Sequence, residues 1–338
     1  MAAATTGANN TAVGRDALDA NTTGDGNTAL GRGALDVNTT GDENVAIGFE
    51  ALDASTTVSQ ITAVGARALG QNTTGHSHVA VGYQALNGNT TGTQNSALGW
   101  KALLSNTTGI ANTAVGYRAL LNITTANYNT AVGYDSMKDT TTGANNTALG
   151  GRSLQSCTTG SSNVALGDYA LTTLTTADNN TAVGTQALRY STTGTSNTAV
   201  GYEALKTSTT ANNNTAVGFE SLKSNTTGLQ NTSIGSQSLE YNQTGLDNTA
   251  IGYITLNNSS GSQNTAVGSR ALQDMTSGDD NTAVGYHALH TNTTASDNTA
   301  VGSNALFANT TGTQNTAVGH TALDANTTGN YNVACGQT

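Results

Sequence analysis

The sequence lacks the features that usually stabilise or anchor a chain by chemistry other than packing. It has no proline, and its two cysteines, Cys157 and Cys335, are too few for a disulfide framework. No segment approaches the roughly 18 consecutive apolar residues of a membrane-spanning helix. The first residues show neither the basic nor the apolar region of a signal peptide. We therefore expect neither a disulfide-stapled scaffold nor insertion into a membrane.

Charge is scarce and predominantly negative. Lys and Arg number 11 against 21 Asp and Glu, which gives a formal net charge of -10 over 338 residues. A chain that binds phosphate backbones needs a basic surface, so this balance argues against a nucleic-acid partner. Disordered chains of similar polarity usually carry many more charges and prolines. The composition thus favours a folded chain.

Motifs of catalysis and of metal binding are also missing. The sequence has no nucleophile elbow, no phosphate-binding glycine loop and no zinc-ligand spacing. Its histidines have no cysteine or carboxylate at ligand spacing, so we interpret them as structural or surface residues; they are His76, His78, His287, His290 and His320. We predict no enzymatic activity, no cofactor and no metal site.

What the sequence does contain is one short repeat. The glycine of Asn10-Thr-Ala-Val-Gly14 returns every 17 residues up to Gly336, with one interval of 16 between Gly252 and Gly268. A fixed short period over a whole chain is typical of a repeat architecture. We number the columns of the repeat from its first Asn, as Asn-Thr-Ala-Val-Gly-x-x-Ala-Leu-x-x-Asn-Thr-Thr-Gly-x-x. The sequence predicts a single repeat domain over residues 1–338, about 20 coils long, with no obvious caps.

The repeat favours a β-solenoid over a stack of helices. Glycine recurs too often for helices, and helical repeats are about twice as long. The sequence predicts an all-β, parallel β-solenoid (a β-roll) with strands at columns 2 to 4 and 7 to 10. Alternation along a strand would then place columns 2 and 4 inside with the column 9 leucine, and the column 3 alanine outside as an apolar contact face. The predicted core ladder is Val13, Leu18, Leu30, Leu35, Ile47, Leu52, Val64 and Leu69.

Two columns suggest specific surfaces. Column 6 carries consecutive aromatics at Tyr83, Trp100, Tyr117 and Tyr134. They are either a stack that covers the glycine corner or a strip that contacts a glycan or a protein partner. The threonines of columns 13 and 14 raise the alternative of an ice-binding threonine ladder. Against that alternative, neighbouring residues of a strand would point to opposite faces.

The repeat resembles two groups of surface proteins. Asn44-Val-Ala-Ile-Gly48 resembles the Asn-Ser-Val-Ala-Ile-Gly repeat of trimeric autotransporter adhesin heads. The longer unit at Asn112-Thr-Ala-Val-Gly-Tyr-Arg-Ala-Leu120 is similar to repeats of bacteriophage tail-fibre-type and related bacterial surface proteins. The resemblance covers essentially the whole chain. It implies a left-handed roll, a homotrimer and an extracellular, cell-surface or virion location.

The resulting hypothesis is a structural fibre protein whose partner is itself. Copies would associate side by side as trimers, or stack head to tail through their ends near Met1, Gly336 and Thr338, where unpaired strand edges favour association. The alternative is an internal shaft segment of a trimeric adhesin or phage tail fibre, whose tip binds a glycan or cell-surface receptor.

Overall fold

The computed structural model describes residues 6–337 and contains two compact units, Met1–Tyr169 and Ala170–Thr338. The described residues contain twenty strands of three residues each and no helix, which confirms the predicted all-β parallel β-solenoid. The prediction of one continuous domain over residues 1–338 stays a prediction.

Each unit contributes ten strands, all of them at columns 2 to 4. The strands of the first unit are β1 Thr11–Val13, β2 Thr28–Leu30, β3 Val45–Ile47, β4 Thr62–Val64, β5 Val79–Val81, β6 Ser96–Leu98, β7 Thr113–Val115, β8 Thr130–Val132, β9 Thr147–Leu149 and β10 Val164–Leu166. Those of the second are β11 Thr181–Val183, β12 Thr198–Val200, β13 Thr215–Val217, β14 Thr232–Ile234, β15 Thr249–Ile251, β16 Thr265–Val267, β17 Thr282–Val284, β18 Thr299–Val301, β19 Thr316–Val318 and β20 Val333–Cys335.

Within each unit, successive strands pair in parallel and in register. In β7 and β8, for example, Ala114 lies opposite Ala131, one repeat later. The 16-residue interval is absorbed without loss of register, because Thr249 of β15 still lies opposite Thr265 of β16. Each residue type therefore forms a column along the unit.

The predicted second strand at columns 7 to 10 is wrong, since this part of the coil forms turns. In the first coil Asp16 has a φ of 60° and Leu18 a φ of 53°, and the same columns repeat these values along the chain. Left-handed residues cannot continue an extended strand. The leucine nevertheless points inward as predicted: Leu18, Leu35, Leu52 and Leu69 are fully buried.

The side chains of the strands point in the opposite directions to those predicted. Column 3 alanines from Ala29 to Ala317 are buried, with Ser233 in place of one of them, whereas columns 2 and 4 point outward. Val13 is 56% exposed and Leu30 45% exposed. Ile47 and Val64 are half-buried, so these four residues of the predicted ladder are not core residues. The column 9 leucine already fills the close-packed interior, and the strand residue facing inward must therefore be small.

Buried asparagine side chains connect one coil to the next. The backbone N–H of Asn112 donates to Oδ1 of Asn95 at 2.9 Å, and Oδ1 of Asn112 accepts the N–H of Asn129 at 3.0 Å. Its Nδ2 also donates to the Ala126 carbonyl at 2.8 Å. The amide thus acts as a donor and an acceptor between coils, which offsets the cost of burying it.

His78 takes the place of this asparagine in one coil. Its Nδ1 accepts the Asn95 N–H at 3.2 Å, and its Nε2 lies 2.8 Å from the Gly92 carbonyl, to which it donates. The neutral tautomer with the proton on Nε2 therefore makes both bonds of the asparagine that it replaces. The side chain is 1% exposed, and burial lowers the pKa of His78 to about 4.

We expect His78 to make the fold less stable in mild acid. Below pH 6.5 His78 is protonated in the unfolded chain but stays neutral in the folded chain until about pH 4. The free energy of unfolding therefore decreases as the pH falls from 6.5 towards 4, and then levels off. The size of this pKa difference corresponds to about 3 kcal/mol. Urea unfolding of the wild type and of His78→Asn at pH 7 and pH 4.5 measures it. The asparagine variant should lose less stability on acidification, and an equal loss in both proteins would contradict the assignment.

The glycine of column 5 should not tolerate any side chain. Gly116 has a φ of 134°, and a Cβ there would lie 2.5 Å from the Gly133 carbonyl oxygen of the next coil. We expect Gly116→Ala to cost more than about 2 kcal/mol in the free energy of unfolding, because backbone strain and a backbone clash add. The matched control is Gly151→Ala, where a Cβ meets only the flexible carboxylate of Asp168. Chemical denaturation should separate the two, and similar losses would contradict the stacking described.

Candidate interaction surfaces

The outward face of the sheet, formed by columns 2 and 4, is the most regular surface of the protein. From β1 to β19 column 4 is always Val, Leu or Ile, and neither column contains a charged residue in any described strand. In the second unit, nine successive threonines from Thr181 to Thr316 run beside nine branched aliphatic residues from Val183 to Val318. Contiguous exposed apolar surface of this kind usually marks an interaction site.

The column 6 aromatics form a stack in the first unit. The ring centroids of Tyr83 and Trp100 lie 6.0 Å apart, those of Trp100 and Tyr117 4.8 Å, and those of Tyr117 and Tyr134 5.3 Å. Lys101 lies 4.4 Å from the centroid of the Trp100 ring. The inner rings thus cover each other's faces and present mainly their edges to solvent. This arrangement favours a structural stack over a surface on which a sugar could lie flat.

If the stack is structural, its inner ring should matter more than its end ring. We expect Trp100→Ser to cost about 1–3 kcal/mol of unfolding free energy, because two stacked contacts of about 0.5–1.5 kcal/mol each are lost. Tyr83→Ser, at the end of the stack, loses one ring contact and should cost about half as much. Serine already occupies this column at Ser236 and Ser269. Denaturation followed by circular dichroism provides the comparison, and equal costs would argue against stacking as the main contribution.

Columns 7 and 10 form a polar strip that the sequence reasoning missed. Arg118 makes two bonds to the Asp135 carboxylate, at 2.8 and 2.7 Å, and Arg67 pairs with Glu50 at 3.0 Å. One feature of the sequence could have indicated this strip: the residue type varies in columns 7 and 10, whereas it is nearly constant in columns 8 and 9 between them. Side chains there contact their neighbours in the next coil as well as within one coil.

A lysine-glutamate network in this strip shows how strongly its charges interact. Glu203 lies 2.7 Å from Lys206 and 2.9 Å from Lys223. Burial alone would raise the pKa of Glu203, but the hydrogen bonds from both lysines outweigh it and lower the pKa to about 2. Its carboxylate therefore stays charged near neutral pH.

The threonines of columns 13 and 14 lie in a bend, where both columns are at least partly exposed. The predicted opposition of the two columns across a strand is therefore wrong. The column 13 hydroxyls donate to backbone carbonyls of the next coil, as Thr107 does to Thr124 at 3.0 Å. This use of the hydroxyl weakens the ice-binding ladder proposed for these columns.

The residues predicted at the ends are only partly described. Met1 and Thr338 lie outside the described residues, and Gly336 is exposed with a φ of 131°. Within residues 6–337, no group of three or more His, Cys, Asp and Glu side chains could hold a metal ion. In the same range, no helix is long and apolar enough to cross a membrane.

Comparison with known proteins adds no family assignment. Neither the models of known protein families nor the curated proteins gave a match to this sequence.

Proposed function

We propose that the protein is a non-catalytic, fibre- or filament-forming β-solenoid that associates with further copies of itself. The observation that supports this most strongly is the outward face of the sheet. In each unit it presents Val, Leu or Ile once per coil, at β1 to β10 and at β11 to β19, with Thr, Val or Ser beside it. A surface that exposes so much apolar area without charge gains free energy when it is covered.

A second copy is the partner that fits this face best. The face repeats the same two kinds of position at every coil, one a branched aliphatic residue and one mostly Thr, with the strand spacing of about 4.8 Å. Only a partner with the same repeat can place an equivalent side chain against every coil. Homo-oligomers meet this condition through symmetry. Three copies around an axis is the arrangement that the adhesin resemblance implies, with a cell-surface, extracellular or virion location.

Head-to-tail stacking is a second mode of the same function. Among residues 6–337, β1 and β20 are the first and last strands, and Val333 of β20 is 80% exposed. Strand edges pair readily with other strands. Electron microscopy separates this mode from a shaft segment of an adhesin or tail fibre: open-ended filaments support stacking, whereas particles of uniform length contradict it.

We expect charges on the outward face to prevent side-by-side association. The test is the mass by sedimentation and light scattering of the wild type and of a Val115→Asp and Val217→Asp double variant. The wild type should be a multiple of 33.9 kDa, and the variant should approach a single chain. The control pair, Thr108→Asp and Thr227→Asp, changes exposed column 14 residues and should keep the wild-type mass. A monomeric wild type, or a double variant that keeps the wild-type mass, would contradict the proposal.

Ice binding is a second candidate, now on the sheet face instead of columns 13 and 14. The parallel ranks of Thr and branched aliphatic residues in the second unit form a regular array, and most of these side chains are β-branched, which restricts their rotamers. Ice can occupy this face only if copies of the chain do not cover it. Thermal hysteresis of a monomeric wild type, lost in Thr215→Asp, would favour ice binding over self-association. A wild type without hysteresis removes this candidate.

A further inference from the structure

The polar strip of columns 7 and 10 opens into a cleft in the second unit. The cleft is an open cavity of about 340 Å³ lined by Tyr286, His287, Asn304, Phe307 and Asp324. Its size is within the range of small-molecule sites. It lies on different columns from the outward face of the sheet, so an oligomer formed through that face leaves the lining side chains unused.

Aromatic rings flank this cleft. The Tyr286 and His287 rings stack with centroids 3.8 Å apart, and the Phe307 ring stacks on His290 at 5.2 Å. Tyr286 is 52% exposed. Unlike Trp100 in the stack of the first unit, Tyr286 lies between two serines of its column, Ser269 and Ser303. No aromatic ring of its own column therefore covers it.

Polar groups of three kinds line the same cleft. Asn304 contributes an amide and Asp324 an exposed carboxylate. Nε2 of His287 is buried and makes no hydrogen bond to any described residue. Burial, with His290 and Arg270 nearby, lowers the pKa of His287, so its ring is neutral near pH 7 and offers one donor and one acceptor. A buried polar atom without a partner is costly. A ligand hydroxyl would satisfy it once the imidazole turns towards the cleft.

We propose that this cleft binds one pyranose unit of a neutral glycan. A pyranose has an apolar C–H face that packs against an aromatic ring and hydroxyls that bond to amide, carboxylate and imidazole groups. Tyr286 and Phe307 provide the rings, and His287, Asn304 and Asp324 the polar partners. The Asp324 carboxylate of the lining disfavours acidic sugars.

The comparable cavity in the first unit shows which features matter. That cavity, about 230 Å³, is lined by Glu50, Asp53, Arg67, Gly70, Gln71 and Asn87. It has no aromatic side chain in its lining, and an ion pair of 3.0 Å joins two of its residues, Arg67 and Glu50. We therefore assign the glycan site to the second unit alone.

The repeat itself supplies replacements that its columns tolerate. Leu104 and Asn87 occupy column 10, and Gln186 occupies column 7. The test variants are therefore Phe307→Leu, Asp324→Asn and His287→Gln, each of which places in the cleft a residue that another coil already carries at that column. Tyr202→Ser, in the same unit but outside the cleft, is the matched control.

Saturation-transfer NMR on the full chain is the experiment. The probes are the methyl pyranosides of glucose, galactose and mannose, with N-acetylneuraminic acid and tetramethylammonium as the acidic and cationic comparisons. We expect transfer to at least one neutral glycoside, weakened about tenfold in affinity by Phe307→Leu or His287→Gln and unchanged by Tyr202→Ser.

Three results would overturn the proposal: no transfer to any neutral glycoside, equal transfer in the wild type and in Phe307→Leu, or preference for either charged probe. Circular dichroism shows whether each variant is folded. If one variant is not folded, glycoside binding by Asp324→Asn is measured in its place. The charged double variant of the sheet face should still bind the glycoside. Failure of self-association and failure of glycan binding are therefore distinguishable.

Discussion

The structure depends on the hydrogen bonds of buried asparagine amides between coils. Each coil has only a three-residue strand, and further backbone hydrogen bonds join its turns to the next coil, as the Leu103 N–H donates to the Ala119 carbonyl. The column 1 amide adds a donor and an acceptor where the strand begins: the Asn112 amide accepts the Asn129 N–H and donates to the Ala126 carbonyl, both in the next coil. A buried polar group is stabilising only when it is satisfied, so the next coil must be in register. His78 meets this requirement because it reproduces both bonds, whereas the buried Ile61 of the same column makes neither.

The narrow interior fixes which side chains face out. In most coils it holds one leucine, small residues at columns 3 and 8, an asparagine at column 1 and a variable residue at column 12, and on the inner side of the strand it holds only Ala or Ser. The β-branched residues that favour strand geometry are therefore placed on the outer side. An apolar outer face is thus a consequence of the small core, and the proposed self-association follows from that face. The variable columns 7 and 10 do not carry this constraint, which allows their chemistry to differ from coil to coil.

Much of the fold could be predicted from the sequence, because a strict period determines how equivalent residues align. The strands at columns 2 to 4, the parallel register and the buried Leu18 all follow from it. Which face of the strand is buried could not be predicted from alternation, since Thr-Ala-Val is compatible with either face pointing inward. The prediction of Val13 as a core residue is wrong because it depends on hydrophobicity and neglects the small volume that the interior leaves for a strand side chain. The cleft near Phe307 was missed for another reason: it combines residues of three coils, and no single repeat contains its pattern.

The most direct test of the asparagine ladder is the pH dependence of an isosteric substitution. Asn112→Asp keeps an acceptor for Asn129 but places a buried carboxylate against the Ala126 carbonyl. We predict a loss of several kcal/mol in unfolding free energy at pH 7, partly recovered in acid when the carboxyl group is protonated and can donate. The control is Asn127→Asp, since Oδ1 of Asn127 accepts only the Ile110 N–H and Asp42 does the same for Asp25. It should change stability little. Equal effects of the two variants at pH 7, with no recovery in acid, would contradict the account.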